Sequence, residues 1–497
     1  MTALRIRLAI TDAIAVLLLC HTTAFAEPTA IGSRLELFVD DALIDRMHGD
    51  IELKLHRPTP REVSVINDAP WEGGTSGYHT VFRDGERYRM YYRGHAMSFD
   101  ASGLRETHRE VTRYAESADG IHWTKPQLDL VDFDGSMANN IIWQGPESHN
   151  FTPFIDANPA CPADQRYKTL GGVTGGLTVL VSSDGLGWRK LADQPVITEG
   201  AFDSQNVGFW DAARGRYAAY FRFFTQAGLR EIAVAYSDDL RTWTPPAPLT
   251  YTHSAGGQQM YTNQVIPYDR APHVLLGFPT RYVARPLTPH VQTLDPVDVR
   301  LRLISAVERG GTDLTDGLFM SSRDGLSFRR WDEAFLRPGP QGEGRWMYGD
   351  NYQSWGLVET AASIPGGPPE VSFYSSEQSW RADYRLRRYT VRLDGFVSVQ
   401  AGFSGGEIVT KPLTFTGNRL FINYATSAAG SLRVELQSEA GAPLTGFTLA
   451  DCPELYGDSV EQAVAWKSGA DVSSLAGRHV RIQFVLKDAD LYSYRFR

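Results

Sequence analysis

The chain has 497 residues and a formal net charge of −9, with 49 Lys and Arg against 58 Asp and Glu and no basic block, a balance that excludes nucleic acid as the expected partner. Its length exceeds one ordinary core and implies a large domain followed by a smaller one. The 11 Trp and 22 Tyr suit sugar stacking or the ordinary use of aromatics in strands, and composition does not separate the two.

Residues 1–26 combine Arg5 and Arg7, an apolar run from Ala13 to Leu19 and Ala24-Phe25-Ala26, the pattern of a secretory signal cleaved after Ala26. A lipoprotein reading through Cys20 is the weaker alternative, because Leu19 is bulky where a small residue is wanted. No later segment reaches the roughly 18 apolar residues of a membrane helix, so the expectation is a secreted or periplasmic protein without membrane insertion. Cys161 and Cys452 remain, paired or free, and no Cys or His spacing marks a zinc site. Residues 27–60, with "RLELFVDDALIDRM", read as a strand and turn that pack on the C-terminal domain or complete a blade.

Residues 61–400 contain a repeat: "AESADGIHW" from Ala115, "LVSSDGLGW" from Leu180, "AYSDDLRTW" from Ala235 and "FMSSRDGLSF" from Phe319. Trp123, Trp188, Trp243 and Phe328 each follow an Asp (119, 184, 239, 324) at the same spacing. The intervals of roughly 55 to 85 residues suit one four-stranded propeller blade with variable loops. Alternating β-branched and aromatic residues, broken by Asp-Gly, Pro or Asn, fill the repeats with strands. These are 78–82, 88–93 and 112–117; 151–156, 167–171 and 177–182; 206–210, 216–222 and 232–237; 262–268, 274–278 and 317–322; each set is completed after its Trp or Phe. A fifth set covers 351–359, 370–376 and 385–393. Residues 401–497 alternate without the repeat and read as a β-sandwich. The expected fold is all-β, a five-bladed β-propeller followed by a C-terminal β-sandwich, with no long helix. The Asp-Gly elements are expected to be hairpins on the outer blade.

The segments "NDAPWEGGTSGYHTVFRDGERYRMYYRG" (67–94), "FDSQNVGFWD" (202–211), "YTNQVIPY" (261–268) and "RLRRYTVRLDGFVS" (385–398) give a chain that resembles the five-bladed β-propeller glycoside hydrolases. The likeness is to secreted bacterial proteins of the family 32/43 type with a C-terminal sandwich. It covers nearly the whole mature chain in architecture and implies hydrolysis of glycosidic bonds without a cofactor. The catalytic segments depart from that pattern. Only Asn67-Asp68-Ala69-Pro70 approximates the first-blade nucleophile segment, and the second-blade Arg-Asp-Pro and third-blade Glu-Cys segments have no counterpart, so fructan cleavage is not implied.

In a propeller the starts of inner strands and the ends of second strands meet at one mouth. The first group supplies Glu72, His79, Asp203, Gln205, Asn206, Tyr261, Asn263, Trp346, Tyr348 and Asp350; the second supplies Arg93, His95, Arg222, Arg281 and Glu377. A glycosidase needs one protonated and one ionised carboxyl group, which selects Asp203, Asp350 and Glu377 as catalytic candidates, with Glu72 and Asp68 as first-blade alternatives. Each acid also suits a turn cap or an arginine partner. Arg93, Arg222 and Arg281 suit a carboxylate or sulfate on the sugar, and His79, His95, Gln205, Asn206, Tyr261, Asn263, Trp346 and Tyr348 complete the expected binding set. No residue is assigned to a metal, and a structural calcium bridging propeller carboxylates stays open. The expected activity is exo-acting hydrolysis of plant or algal poly- or oligosaccharides, neutral or anionic. The alternatives are a sialidase-like hydrolase, a lyase using His79 and Tyr261, and a carbohydrate-binding propeller without catalysis. Oligomeric state is left open.

Overall fold

The structure, a computed structural model, describes residues 28–342 and 344–497, so the signal segment expected over 1–26 lies outside the described residues. Four antiparallel four-stranded sheets follow the repeats. The first is Gly77–Asp84, Arg87–Gly94, Val111–Ser117 and Ile141–Trp143; the second is Thr152–Ile155, Tyr167–Gly171, Thr178–Ser182 and Arg189–Lys190; the third is Val207–Asp211, Arg216–Phe224, Arg230–Ser237 and Ala247–Pro248. The last is Val358–Thr360, Glu370–Glu377, Arg385–Arg392 and, as its outer strand, Thr59–Ile66 from the N-terminal segment. Their middle strands are apolar in near-continuous runs because both faces are covered by neighbouring sheets.

The inner strands meet around one axis, giving a propeller-like arrangement. Trp355 N–H donates to His79 O at 2.8 Å, and Gln205 Nε2 donates to the same carbonyl at 3.1 Å. Gln264 Nε2 bonds Gln205 Oε1 at 2.6 Å and Gln353 O at 2.8 Å. The first, third, fourth and last repeats are thereby tied at the centre.

The expectation of five regular blades is met by four four-stranded sheets; the fourth repeat departs from it. Its strands belong to a seven-stranded sheet that adds Thr250–Thr252, Gln259–Met260 and Thr280–Val283. The same insertion carries the short helices Pro289–Gln292, Val297–Ala306 and Glu308–Thr312, in a stretch to which the sequence reading gives no element. Val297–Ala306 reads "VDVRLRLISA", an alternation typical of a strand, with Val299, Arg300 and Leu303 buried. Tertiary contacts decide against that period: Arg300, fully buried, donates Nε to Leu294 O at 3.0 Å and also bonds the Gly311 and Trp346 carbonyls.

The repeated Asp element is scaffold. Ser117, Ser182, Ser237 and Ser322 each donate a hydroxyl to the Asp two residues on, at 2.9 to 3.1 Å. Each Asp carboxylate then receives the N–H groups two and three residues further on, at 2.7 to 2.9 Å. The aromatic that follows packs on the preceding blade, as Trp188 does on Tyr91, Phe328 on Tyr220 and Trp123 on Tyr374. Those same tyrosines donate to the carbonyls of Gly185, Gly325 and Gly120. A Cβ at Gly185 would meet the Tyr91 hydroxyl at 2.7 Å. At the third turn no tyrosine donates to the residue after Asp239 among the described residues, and Leu240 takes the left-handed conformation there, φ 63°.

The C-terminal region is an eight-stranded sheet of long, bulged strands, Val397–Thr410, Leu420–Ser438 and Val480–Phe496, joined by Thr29–Gly32, Glu36–Leu37 and Ile44–Leu55. Residues 28–60 thus contribute three strands to this sheet, and their end starts Thr59–Ile66, the outer strand of the last blade. Asp394, fully buried, pins the two regions. It accepts from Tyr268 and Arg270 on the propeller side and from Asn423 and Ser493 on the other. Cys161 and Cys452 are both free.

Candidate functional site

The pocket at the propeller mouth starts from a local irregularity. Register shifts between Gly77 and Thr80, and Tyr78 sits at φ 53°, as Asn351, Gln378 and Trp380 do at 63°, 62° and 70°. Positive φ costs a side-chain-bearing residue on the order of 1–3 kcal/mol and is retained where surrounding structure imposes it. Two of the four, Tyr78 and Trp380, line one opening of about 90 Å³, walled also by Tyr261, Tyr348, Tyr352 and Tyr384, with Arg93 and Ser379 as polar lining.

The aromatic walls are packed rings with polar handles. Tyr261 lies 5.4 Å from Tyr352 and 6.1 Å from Tyr348, centroid to centroid. Trp380 Nε1 donates to Tyr348 O at 2.8 Å. Burial pushes the Tyr78, Tyr261 and Tyr348 phenols well above their usual range, so these hydroxyls are neutral donors near pH 7 rather than bases.

Beside the opening lies a charged cluster. His149, ending the short helical turn Pro146–His149, has Nδ1 3.0 Å from Glu110 and Nε2 3.1 Å from Asp203. Arg93 lies over the Tyr78 ring at 4.7 Å, with Nη1 3.3 Å from Glu110 and Nη2 donating to Thr75 O at 2.9 Å. Arg222 lies over Tyr261 at 4.8 Å and 3.9 Å from Asp203. The Asp203 side chain is 60 % exposed. The His149 hydrogen bond overcomes partial burial and, with the Arg222 and Arg93 charges, holds Asp203 at about 2. For Glu110 burial opposes ionisation, but the His149 bond and the Arg93 charge bring it to about 2 as well.

Asp350 is the opposite case. Fully buried, it accepts Met347 N–H and Ser379 N–H at 2.8 Å each, and burial raises it to about 7. It stands one residue behind the opening, since Gly349 and Ser379 line the wall. The Ser379 hydroxyl has no hydrogen-bond partner among the described residues.

The other sequence candidates divide. Arg93, Tyr261 and Tyr348 line the opening, with Asp203 and Arg222 beside it. Glu377 does not share it; Arg387 (2.6 Å), Arg345 (3.1 Å) and Arg385 (3.4 Å) enclose its carboxylate. Glu72 is buried against Arg113 at 2.5 Å and Lys125 at 2.7 Å, and Asp68 is an exposed partner of the same Lys125. Gln205, Asn206 and Asn263 spend their amides on backbone carbonyls at the axis. His79 is buried between Tyr92 and Tyr384, away from the lining of the opening, and burial lowers it to about 3. Arg281 is locked bidentate on Asp316, and with Trp346 it borders a different cavity. His95 sits behind Thr75, its Nδ1 3.0 Å from the Thr75 hydroxyl. The strand-end rule misses His149, Glu110, Tyr78, Tyr352, Trp380 and Tyr384. Nothing in "GPESHN" marks His149 as facing two acids.

No protein-family model matches the chain, and no curated protein matches it. Among solved structures, one titled a glycoside hydrolase is 14% identical, covers 68% of this chain and 92% of its own, and superposes with a TM-score of 0.42. An N-acetylgalactosamine deacetylase from F. plautii, in complex with blood group B trisaccharide, is 15% identical over 68% of this chain and 94% of its own, TM-score 0.41. A fructofuranosidase from Schwanniomyces occidentalis is 12% identical and covers 88% of this chain and 96% of its own, TM-score 0.37.

Proposed function

We propose that the protein is an exported glycoside hydrolase that takes the end of a glycan chain into the tyrosine-walled opening. The observation that carries this reading is the pairing of an ionised, exposed Asp203 at the rim with a carboxyl, Asp350, that burial keeps protonated up to about pH 7. Hydrolysis needs those two states together. In this reading Asp203 removes a proton from the attacking water, whose oxygen bonds the anomeric carbon as the glycosidic C–O bond breaks. The leaving oxygen takes a proton from Asp350, whose backbone partner Ser379 lines the wall. The closed wall favours exo action. The guanidinium groups are already matched, Arg93 with Glu110 and Arg222 with Asp203, which favours a neutral glycan over an acidic one.

A second reading is favoured by one specific observation. Both Asp350 oxygens already accept backbone N–H groups, which suits a glycan-binding propeller that does not cleave. Incubating the protein with a panel of neutral and anionic oligosaccharides separates the readings. New reducing ends without ultraviolet absorbance support hydrolysis, absorbance from an unsaturated sugar indicates elimination, and binding without product supports the non-catalytic reading.

A further inference from the structure

We propose a zinc-binding site at the rim of the mouth, formed by His95, Glu106 and Glu110. His95 follows the strand Arg87–Gly94; Glu106 ends the small hairpin Met97–Asp100 and Gly103–Glu106; Glu110 immediately precedes Val111–Ser117. The fold brings one ligand atom from each within 4.8 Å of the others. His95 Nε2 lies 3.3 Å from Glu106 Oε1 and 3.9 Å from Glu110 Oε1. Ligand atoms about 2.0–2.2 Å from a tetrahedral zinc ion lie about 3.4 Å apart, so the trio needs only small adjustments to close on an ion.

A second observation points the same way. The His95 side chain is nine-tenths buried, yet its Nε2 makes no hydrogen bond among the described residues; the contact to Glu106 is an approach of charge only. The ring's other nitrogen is held by the Thr75 hydroxyl at 3.0 Å, the outer contact that fixes a metal-binding imidazole with its free nitrogen toward the ion. Glu110 Oε1 also meets His149 at 3.0 Å and Arg93 at 3.3 Å, contacts that fix the carboxylate and that an ion would share or displace. Arg93 opposes a metal, as His149 does when protonated, and the Glu106 and Glu110 charges offset them. An imidazole nitrogen beside two carboxylates suits zinc rather than calcium, which takes oxygen ligands. Glu106 is 54 % exposed, so the remaining coordination position opens to water or to a donor oxygen of a bound molecule. Thr75 touches His95 and lines the tyrosine pocket, which places the ion at the edge of that pocket.

The test needs no substrate and is independent of the glycosidase reading. The full-length protein is stripped with a chelator, titrated with zinc, manganese and calcium by calorimetry, and assayed for bound metal and melting temperature. The expected result is one zinc per chain, a higher melting temperature with zinc, and zinc binding weakened about tenfold or more in Glu106→Gln. The exposure of Glu106 makes that variant safe for folding; His95→Ala is the second arm and also loses zinc. No zinc uptake by the wild-type protein, preference for calcium, or unchanged affinity in a folded Glu106→Gln would overturn the proposal.

Discussion

The Glu377 corner and the Asp203 rim belong to the same ring of sheets and were selected by the same strand-end argument, yet they hold their carboxylates differently. Glu377 has three arginines around a side chain that is 2 % exposed. Asp203 has one histidine, a distant arginine and open space beside a pocket. A carboxylate enclosed by guanidinium groups has its charge spent on the fold. One held ionised by a few contacts while facing a cavity retains capacity for a ligand.

That comparison breaks first on stability. Glu72→Gln, the most enclosed case, leaves fully buried Arg113 without its carboxylate and should cost about 3–5 kcal/mol in urea unfolding. Glu377→Gln should cost less, about 2 kcal/mol, because its arginines reach solvent and can rehydrate. A loss below about 0.5 kcal/mol in either would mean that the ion pairs do not hold the blades. Tyr348→Ala, which removes a pocket wall, should weaken glycan binding by about 1 kcal/mol, roughly fivefold, in a calorimetric titration.

The smallest expected effects are in pH. Glu110 has a depressed folded-state value of about 2, so its contribution to stability is present above the unfolded value near 4 and is lost as pH falls toward 2. Asp350 has the reverse sign. Its folded value of about 7 means the native state holds a proton the unfolded chain has released, and stability drifts down between about pH 4 and 7. Activity should follow the same pair, with kcat/KM level from about pH 3 to 6 and falling through 7.

The scaffold was legible in the sequence because it is local. The Ser-x-Asp elements make their hydrogen bonds within one turn, so their spacing marks the repeats, while the aromatic four residues on packs across to the preceding blade. The helix Val297–Ala306 was hidden because its alternation favours a strand and only the buried Arg300 contacts overrule it. The site was partly legible: strand polarity brought Asp203, Arg93, Arg222, Tyr261 and Tyr348 to one end. It could not tell that Glu377 and Arg281 turn toward their own partners, since those contacts come from residues 8 to 35 positions away. Nor could it find His149, whose role depends on a loop that sits between Glu110 and Asp203.

The central claim is that Asp203 is chemically free where Glu377 is not. The direct measurement is release of reducing sugar by Asp203→Asn beside the wild-type protein, on whichever oligosaccharide the wild type cleaves, with both melting temperatures recorded. The account predicts a loss of about 100-fold or more in kcat with the melting temperature nearly unchanged. A folded Asp203→Asn that cleaves at the wild-type rate would contradict it.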